Sequence, residues 1–337
     1  MMRSSIPLAM TGMALLCLPC TDTESVRADV LVSNSGNGAV ERYDQTTKAF
    51  LGTFASGSGL TQPTGLSYGS DGNLYVGNFF PGGVERFAGM SGGHVDHFTK
   101  GGNTSGTLGL TFGPDRDLYL VGDLDAAVSR YDGKTGQFKQ IFTSGPTAPF
   151  DLTFGRDGNL YVTGQVGNSV LRFNGVTGTL IDTFTKGGGL SGPTGLTFGP
   201  DGNLYVSSLT TNDVRRYDGT TGAFLGIFAS GGGLVNPEGL EFGPDGDLYV
   251  VGSGSDSVVR YDGRTGAFID VFASGPQLNA PAFITFAPQA PAVPEPRSWM
   301  LLGVGLVGLA FYGGVKAINA RFAAWAVTGA DPAFPPV

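Results

Sequence analysis

The chain repeats itself. DGNLYV or a near relative starts at Asp71, Asp115 (as DRDLYL), Asp157, Asp201 and Asp245, at successive spacings of 44, 42, 44 and 44 residues, and a degenerate copy, DVLV, starts at Asp29. Three aromatic columns keep the same register. They are Tyr68, Phe112, Phe154, Phe198, Phe242 and Phe286; Tyr43, Phe87, Tyr131, Phe173, Tyr217 and Tyr261; and Phe54, Phe98, Phe142, Phe184, Phe228 and Phe272. A unit of this size cannot bury its own apolar faces and must stack on its neighbours, and periods of about 40 to 50 residues with turn glycines and aromatics are those of propeller blades.

One unit reads as four short strands. GLTFG (Gly195 to Gly199) is strand A, NLYVSS (Asn203 to Ser208) is B, DVRRY (Asp213 to Tyr217) is C and AFLGIF (Ala223 to Phe228) is D. Gly199-Pro-Asp-Gly202 and Asp218-Gly-Thr-Thr-Gly222 separate them with turn chemistry. The repeat opens with a B strand and ends with an A strand. Strand A at Phe283 to Ala287 is therefore expected to pair with strand B at Asp29 to Ser33, which closes the ring and removes an exposed sheet edge. The predicted fold class is all-β, a six-bladed β-propeller of four-stranded blades over residues 29–288.

Composition agrees. Glycine supplies 57 of 337 residues, as a turn-rich chain requires, and 41% hydrophobic residues are enough for a large core. With 20 Lys+Arg against 28 Asp+Glu the net charge is −8, which speaks against nucleic acid as a partner.

The two ends read as addresses. Residues 1–28 start Met-Met-Arg, run through an apolar stretch from Ile6 to Leu18 and reach the small-residue site Val26-Arg27-Ala28, the pattern of a secretory signal peptide. Both cysteines, Cys17 and Cys20, fall inside it, and neither has the residues of a lipoprotein attachment site before it. The mature protein is then expected to hold no thiol and no disulfide. Residues 289–298 form a Pro-rich linker. Residues 299–315, WMLLGVGLVGLAFYGGV, contain no charge and reach the lower limit of length for a transmembrane helix. Lys316 and Arg321 follow the span, so residues 316–337 are expected to be a cytoplasmic tail, with the preceding domain outside.

Pro294, Glu295 and Pro296, then Trp299, then LLGVGLVGLA, resemble the bacterial PEP-CTERM sorting signal. The resemblance implies recognition by an exosortase-like membrane protease and export to the cell surface or the extracellular polysaccharide matrix, with membrane attachment through the C-terminal helix where processing does not occur. Two features depart from the family: the basic cluster is thin, and a tail continues from Phe322 to Val337. The blade pattern, with P-x-G-L, DGNLYV and x-V-x-R-Y/F-D, is similar to NHL-type and YVTN-type propellers, folds that serve lyases, lactonases, peptidases and binding modules alike.

A site on a repeated scaffold must break the repeat. The loops between strands B and C do so, offering Phe79 and Phe80, Asp123, and short runs of Ser, Thr and Asn, which suit a polysaccharide or protein ligand. Asp151 stands where other blades have Gly65, Gly109, Gly195 and Gly239, which places a carboxylate near the channel. Glu238 lies one residue before its own blade's equivalent, and the two acids could hold a cation or exchange a proton. The DGN triplets lack the ligand spacing of a calcium loop. His94 and His97, spaced i and i+3 on a strand D, are expected on opposite faces and hence unsuited to joint metal ligation. No metal, cofactor or catalytic residue is assigned. The expected function is an exported, non-catalytic binding or scaffold module; the alternative is a metal-assisted lyase or lactonase of the streptogramin-lyase or gluconolactonase-like propeller type.

Overall fold

A computed structural model describes residues 28–102, 104–122, 126–185 and 187–288. Among them the chain forms strands and turns without an α-helix, and no helix there is long and apolar enough to cross a membrane. Residues 1–27 of the expected signal peptide, Asp123, the linker, the expected span and the tail lie outside the described residues, whereas Ala28 is described and buried.

Blade 1 holds β1 (Asp29–Asn34), β2 (Ala39–Asp44) and β3 (Phe50–Ser56). Blade 2 is β4 (Pro63–Tyr68), β5 (Leu74–Asn78), β6 (Val84–Phe87) and β7 (His94–His97). Blade 3 is β8 (Thr107–Phe112), β9 (Leu118–Gly122), β10 (Ala127–Tyr131) and β11 (Phe138–Ser144). Blade 4 is β12 (Pro149–Phe154), β13 (Leu160–Gly164), β14 (Ser169–Phe173) and β15 (Leu180–Thr183). Blade 5 is β16 (Pro193–Phe198), β17 (Leu204–Ser208), β18 (Asp213–Tyr217) and β19 (Phe224–Ser230). Blade 6 is β20 (Pro237–Phe242), β21 (Leu248–Gly252), β22 (Ser257–Tyr261) and β23 (Phe268–Ser274), and the last strand, β24 (Pro281–Phe286), returns to blade 1.

Each sheet is a four-stranded antiparallel meander, and blade 1 has the order β24-β1-β2-β3. The expected closure is present: Val30 pairs with Phe286, Leu31 with Thr285 and Val32 with Ile284. A buried hydroxyl fastens the seam, because Ser33 Oγ accepts the Phe283 N–H at 2.8 Å. Strand A starts earlier than read from the sequence, at a residue such as Pro193, because the strand is paired at its head and bulges between Pro193 and Leu196.

The core lies between blades. Tyr205 is wedged edge-on between Phe228 of its own blade, at 4.7 Å, and Phe242 of the next, at 4.9 Å. Tyr75, Tyr119, Tyr161 and Tyr249 repeat this in their own blades. Tyr205 also donates its hydroxyl to Asp201 at 2.9 Å, while Asp201 accepts the Asn203 N–H at 3.0 Å. The DGN aspartates are thus turn and core staples. Around the axis the six A strands approach so closely that a Cβ at Gly195 would lie 2.4 Å from the Glu238 carbonyl oxygen, and one at Gly65 2.5 Å from that of Leu108. Glycine is required there by contact.

Candidate functional site

The channel at the axis is built from strand A alone, so each position along that strand contributes one residue per blade. The fifth position gives Ser67, Thr111, Thr153, Thr197, Glu241 and Thr285, a ring of five hydroxyls and one carboxyl. These residues line a cavity of about 370 Å³ together with Asp151, Leu196 and Phe283. The third position gives four glycines, Asp151 and Phe283.

Asp151 ties blade 4 to blade 5 and lies close against blade 3. Its Oδ2 accepts the Leu196 N–H of blade 5 at 3.1 Å, its Oδ1 accepts the Leu152 N–H at 2.9 Å, and a Cβ on Gly109 of blade 3 would sit 2.4 Å from that Oδ1. Thr163 fixes the backbone beneath by accepting the Asp151 N–H at 2.9 Å. Burial pushes the Asp151 carboxyl up to about 7, against the pull of the two backbone donors. Glu241 is pushed up to about 8, first by burial and then by the Asp151 charge, with a hydrogen bond to Thr285 opposing. Glu238 is raised to about 7 by burial and hydrogen-bonds Ser253.

From the sequence, Glu238 is the expected partner of Asp151. The acid that interacts electrostatically with Asp151 is Glu241, three residues further along β20. Glu241 was legible by the criterion that found Asp151, since it interrupts a column otherwise made of Ser67 and threonines. Above this cavity the channel is stopped. Phe150 and Phe283 stack with ring centroids 5.6 Å apart and planes inclined by 14°, and they belong to blades 4 and 1, opposite members of the ring.

Phe79 and Phe80 lie apart from these acids, on the loop between β5 and β6. Phe80 is 55% exposed and its ring meets Phe79 edge-on at 4.9 Å. Buried Asn78 anchors the loop, accepting the Thr61 and Gln62 N–H groups and donating to the Gly59 carbonyl at 2.8 Å.

The histidines depart from expectation. His94 Nε2 lies 2.9 Å from Glu85 Oε2, and His97 Nδ1 lies 2.7 Å from Glu85 Oε1, so both imidazoles share one face. A bulge is the reason: Phe87 opposes His94 and Arg86 opposes Asp96, which leaves Val95 as the extra residue and shifts the alternation by one. Among the described residues no group of three or more His, Cys, Asp or Glu side chains is placed to hold a metal ion.

The family model of the PEP-CTERM protein-sorting motif matches residues 292–312. The chain carries a PEP-CTERM sorting motif. Pro294, Glu295, Pro296 and Trp299 all fall within it, and the motif marks a protein for export and membrane-associated sorting with processing by an exosortase. No curated protein matches the chain. Among solved structures it is similar to a chain of a nidogen/laminin complex, with 17% identity, 78% of this chain and 100% of that one covered, and a TM-score of 0.63. A Bacteroides caccae protein of unknown function gives 13% identity, 78% and 100% coverage and a TM-score of 0.62. A catalytically inactive virginiamycin B lyase from Staphylococcus aureus with quinupristin gives 20% identity, 79% and 93% coverage and a TM-score of 0.55. At these identities the likeness establishes the propeller fold.

Proposed function

We propose that this chain is an exported, surface-sorted propeller that binds and scaffolds within an exopolysaccharide or biofilm matrix, without catalysis. One observation carries the reading: a protein-sorting motif follows a ring of six nearly equivalent blades. Residues 1–28 act as the signal peptide, residues 299–315 hold the protein in the inner membrane, and an exosortase-like protease releases it at the motif. The ligand is a polysaccharide or protein met by the B–C loop face, where Phe80 offers an exposed ring and Asp123 a carboxylate. Intact mass of the native protein, taken separately from membranes and from culture matrix, tests this. A species shortened near Pro296 and found in the matrix supports it; only full-length protein in the membrane fraction overturns the matrix assignment.

A second reading, a metal-assisted lyase or lactonase using Asp151, Glu238 or Asp123, draws on the buried carboxyls of Asp151 and Glu238, which hold protons near neutral pH, as acid–base catalysis requires. Turnover of a lactone or cyclic ester by the purified protein, lost in Asp151→Ala, would favour it over the binding module.

A further inference from the structure

Strand C of every blade carries an arginine at one register position: Arg42, Arg86, Arg130, Arg172, Arg216 and Arg260. Five of them are ion-paired with a carboxylate, which comes from strand D, from the head of strand B or from the turn before it, where Asp71 lies 3.5 Å from Arg86, Asp115 2.7 Å from Arg130 and Asp245 3.6 Å from Arg260. In blades 2, 4 and 6 the strand D residue opposite the arginine is Asp96, Asp182 or Asp270, at 2.8, 2.8 and 2.7 Å. Where strand D offers Gly52 or Gln140 instead, the residue at the head of strand B takes over. Asp29 pairs with Arg42, and Asp117 with Arg130 at 2.7 Å.

Blade 5 has neither. Asn203 heads its strand B, and Arg216 faces Gly226. Its turn aspartate, Asp201, bonds Asn203 and Tyr205 and interacts with Arg216 electrostatically, but among the described residues no carboxylate lies within ion-pair distance of Arg216, whereas Asp71, held in the same way, reaches Arg86 at 3.5 Å. The guanidinium rests 5.5 Å from the centre of the Phe228 ring and bonds the Tyr205 hydroxyl, and its Nε, like that of the ion-paired Arg260, is buried without a hydrogen-bond partner. A Cβ on Gly226 would meet nothing within 4 Å. The place that an aspartate side chain fills in three other blades is open in this one.

The strand outside that opening is unguarded. Edge strands normally carry charges that discourage pairing. β7, β11, β15 and β23 do so with Asp96, Lys139, Asp182 and Asp270, whereas β19 reads FLGIFAS and β3 reads FLGTFAS. Only β19 combines an uncharged edge with an arginine lacking its acid. Its Leu225 and Ile227 are 45% and 57% exposed. Neighbouring strands lie about 4.8 Å apart, so an arginine reaching over a glycine comes within range of a side chain on the next strand outward.

We infer that the β19 edge of blade 5 docks an extended segment of a partner protein that carries one Asp or Glu among apolar residues. The partner's backbone continues the sheet and its carboxylate fills the opening over Gly226. Charge complementarity selects this occupant: in a chain of net charge −8, the edge presents one cation with no carboxylate at ion-pair distance, between apolar side chains. The surface is on the outer rim, so the inference is independent of any ligand of the channel or loops.

The test is selection of displayed random peptides of about ten residues on the full chain and on its Arg216→Gln variant. Peptides selected on the wild type carry an acid at one position between apolar residues, bind about tenfold tighter than their amide twins and slow amide exchange along β19. Arg216→Gln erases the difference between twins while unfolding at the wild-type temperature; should it misfold, Arg216→Lys serves the same comparison, with a reduced difference expected. Selection without acid preference, or a preference that survives Arg216→Gln, overturns the proposal. So does Arg216-dependent binding of oligogalacturonate with no peptide selected, which would make the opening a sugar-acid site.

Discussion

Phe150 and Phe283 stack across the axis of the ring, 5.6 Å between centroids, although they belong to blades on opposite sides of it. One pair of side chains therefore both stops the channel and joins the closing blade to its diametric partner. Phe283 is 7% exposed, whereas Phe150 is only partly buried. Phe283→Ala is expected to cost about 3 to 5 kcal/mol and Phe150→Ala distinctly less. Denaturant unfolding of the two variants checks this; equal costs would remove the assigned asymmetry.

The buried acids of the A strands set a pH dependence whose sign follows from their direction. Asp151 and Glu238 are raised to about 7 and Glu241 to about 8, so between about pH 4 and pH 8 the folded state holds protons that the unfolded chain has released. Their stabilising contribution is full below the unfolded values and is lost as pH rises through the folded ones. Relative to an Asp151→Asn, Glu241→Gln variant, the wild type is expected to lose about 5 °C in Tm between pH 5 and pH 8. A difference that stays constant over that range would show the two groups ionised throughout.

Glu85 is buried and its carboxylate is satisfied by His94 and His97. Removing both histidines leaves a buried carboxylate without those partners, at a cost of about 2 to 4 kcal/mol. Adding Glu85→Gln to that double variant is expected to recover part of the loss. Thermal unfolding of the three proteins decides it, and no recovery would mean that the histidines act through packing.

Phe80 contributes an exposed ring to a loop anchored by Asn78, so Phe80→Ala is expected to leave Tm within about 1 °C and to weaken retention on the organism's own matrix polysaccharide several-fold. Unchanged retention would move the ligand off this loop.

The blades were legible because their period, turn residues and aromatic columns state the same answer at three levels, and the closing pair followed from counting strands. Asp151 was legible as an acid in a column of glycines. Glu241 meets the same test in a column of hydroxyls, where one polar residue replacing another is a weaker signal than an acid among glycines. The histidines were misplaced for a different reason: strict alternation assumes an unbroken register, and one extra residue, Val95, reverses it. The stacking of Phe150 on Phe283 depends on ring geometry, which spacing along a chain does not carry.

The ring closes on a strand that ends at Phe286, paired with a strand that begins at Asp29. The propeller's chain thus enters and leaves through one two-stranded ladder, and the sorting motif begins six residues after that ladder, at residue 292. Tension applied through the C-terminal segment while it is being handled at a membrane would arrive first at the Val30–Phe286 pair. The fastening of Ser33 to Phe283 then works as a mechanical latch, and unzipping β24 would be the route by which pulling on the tail opens the whole domain.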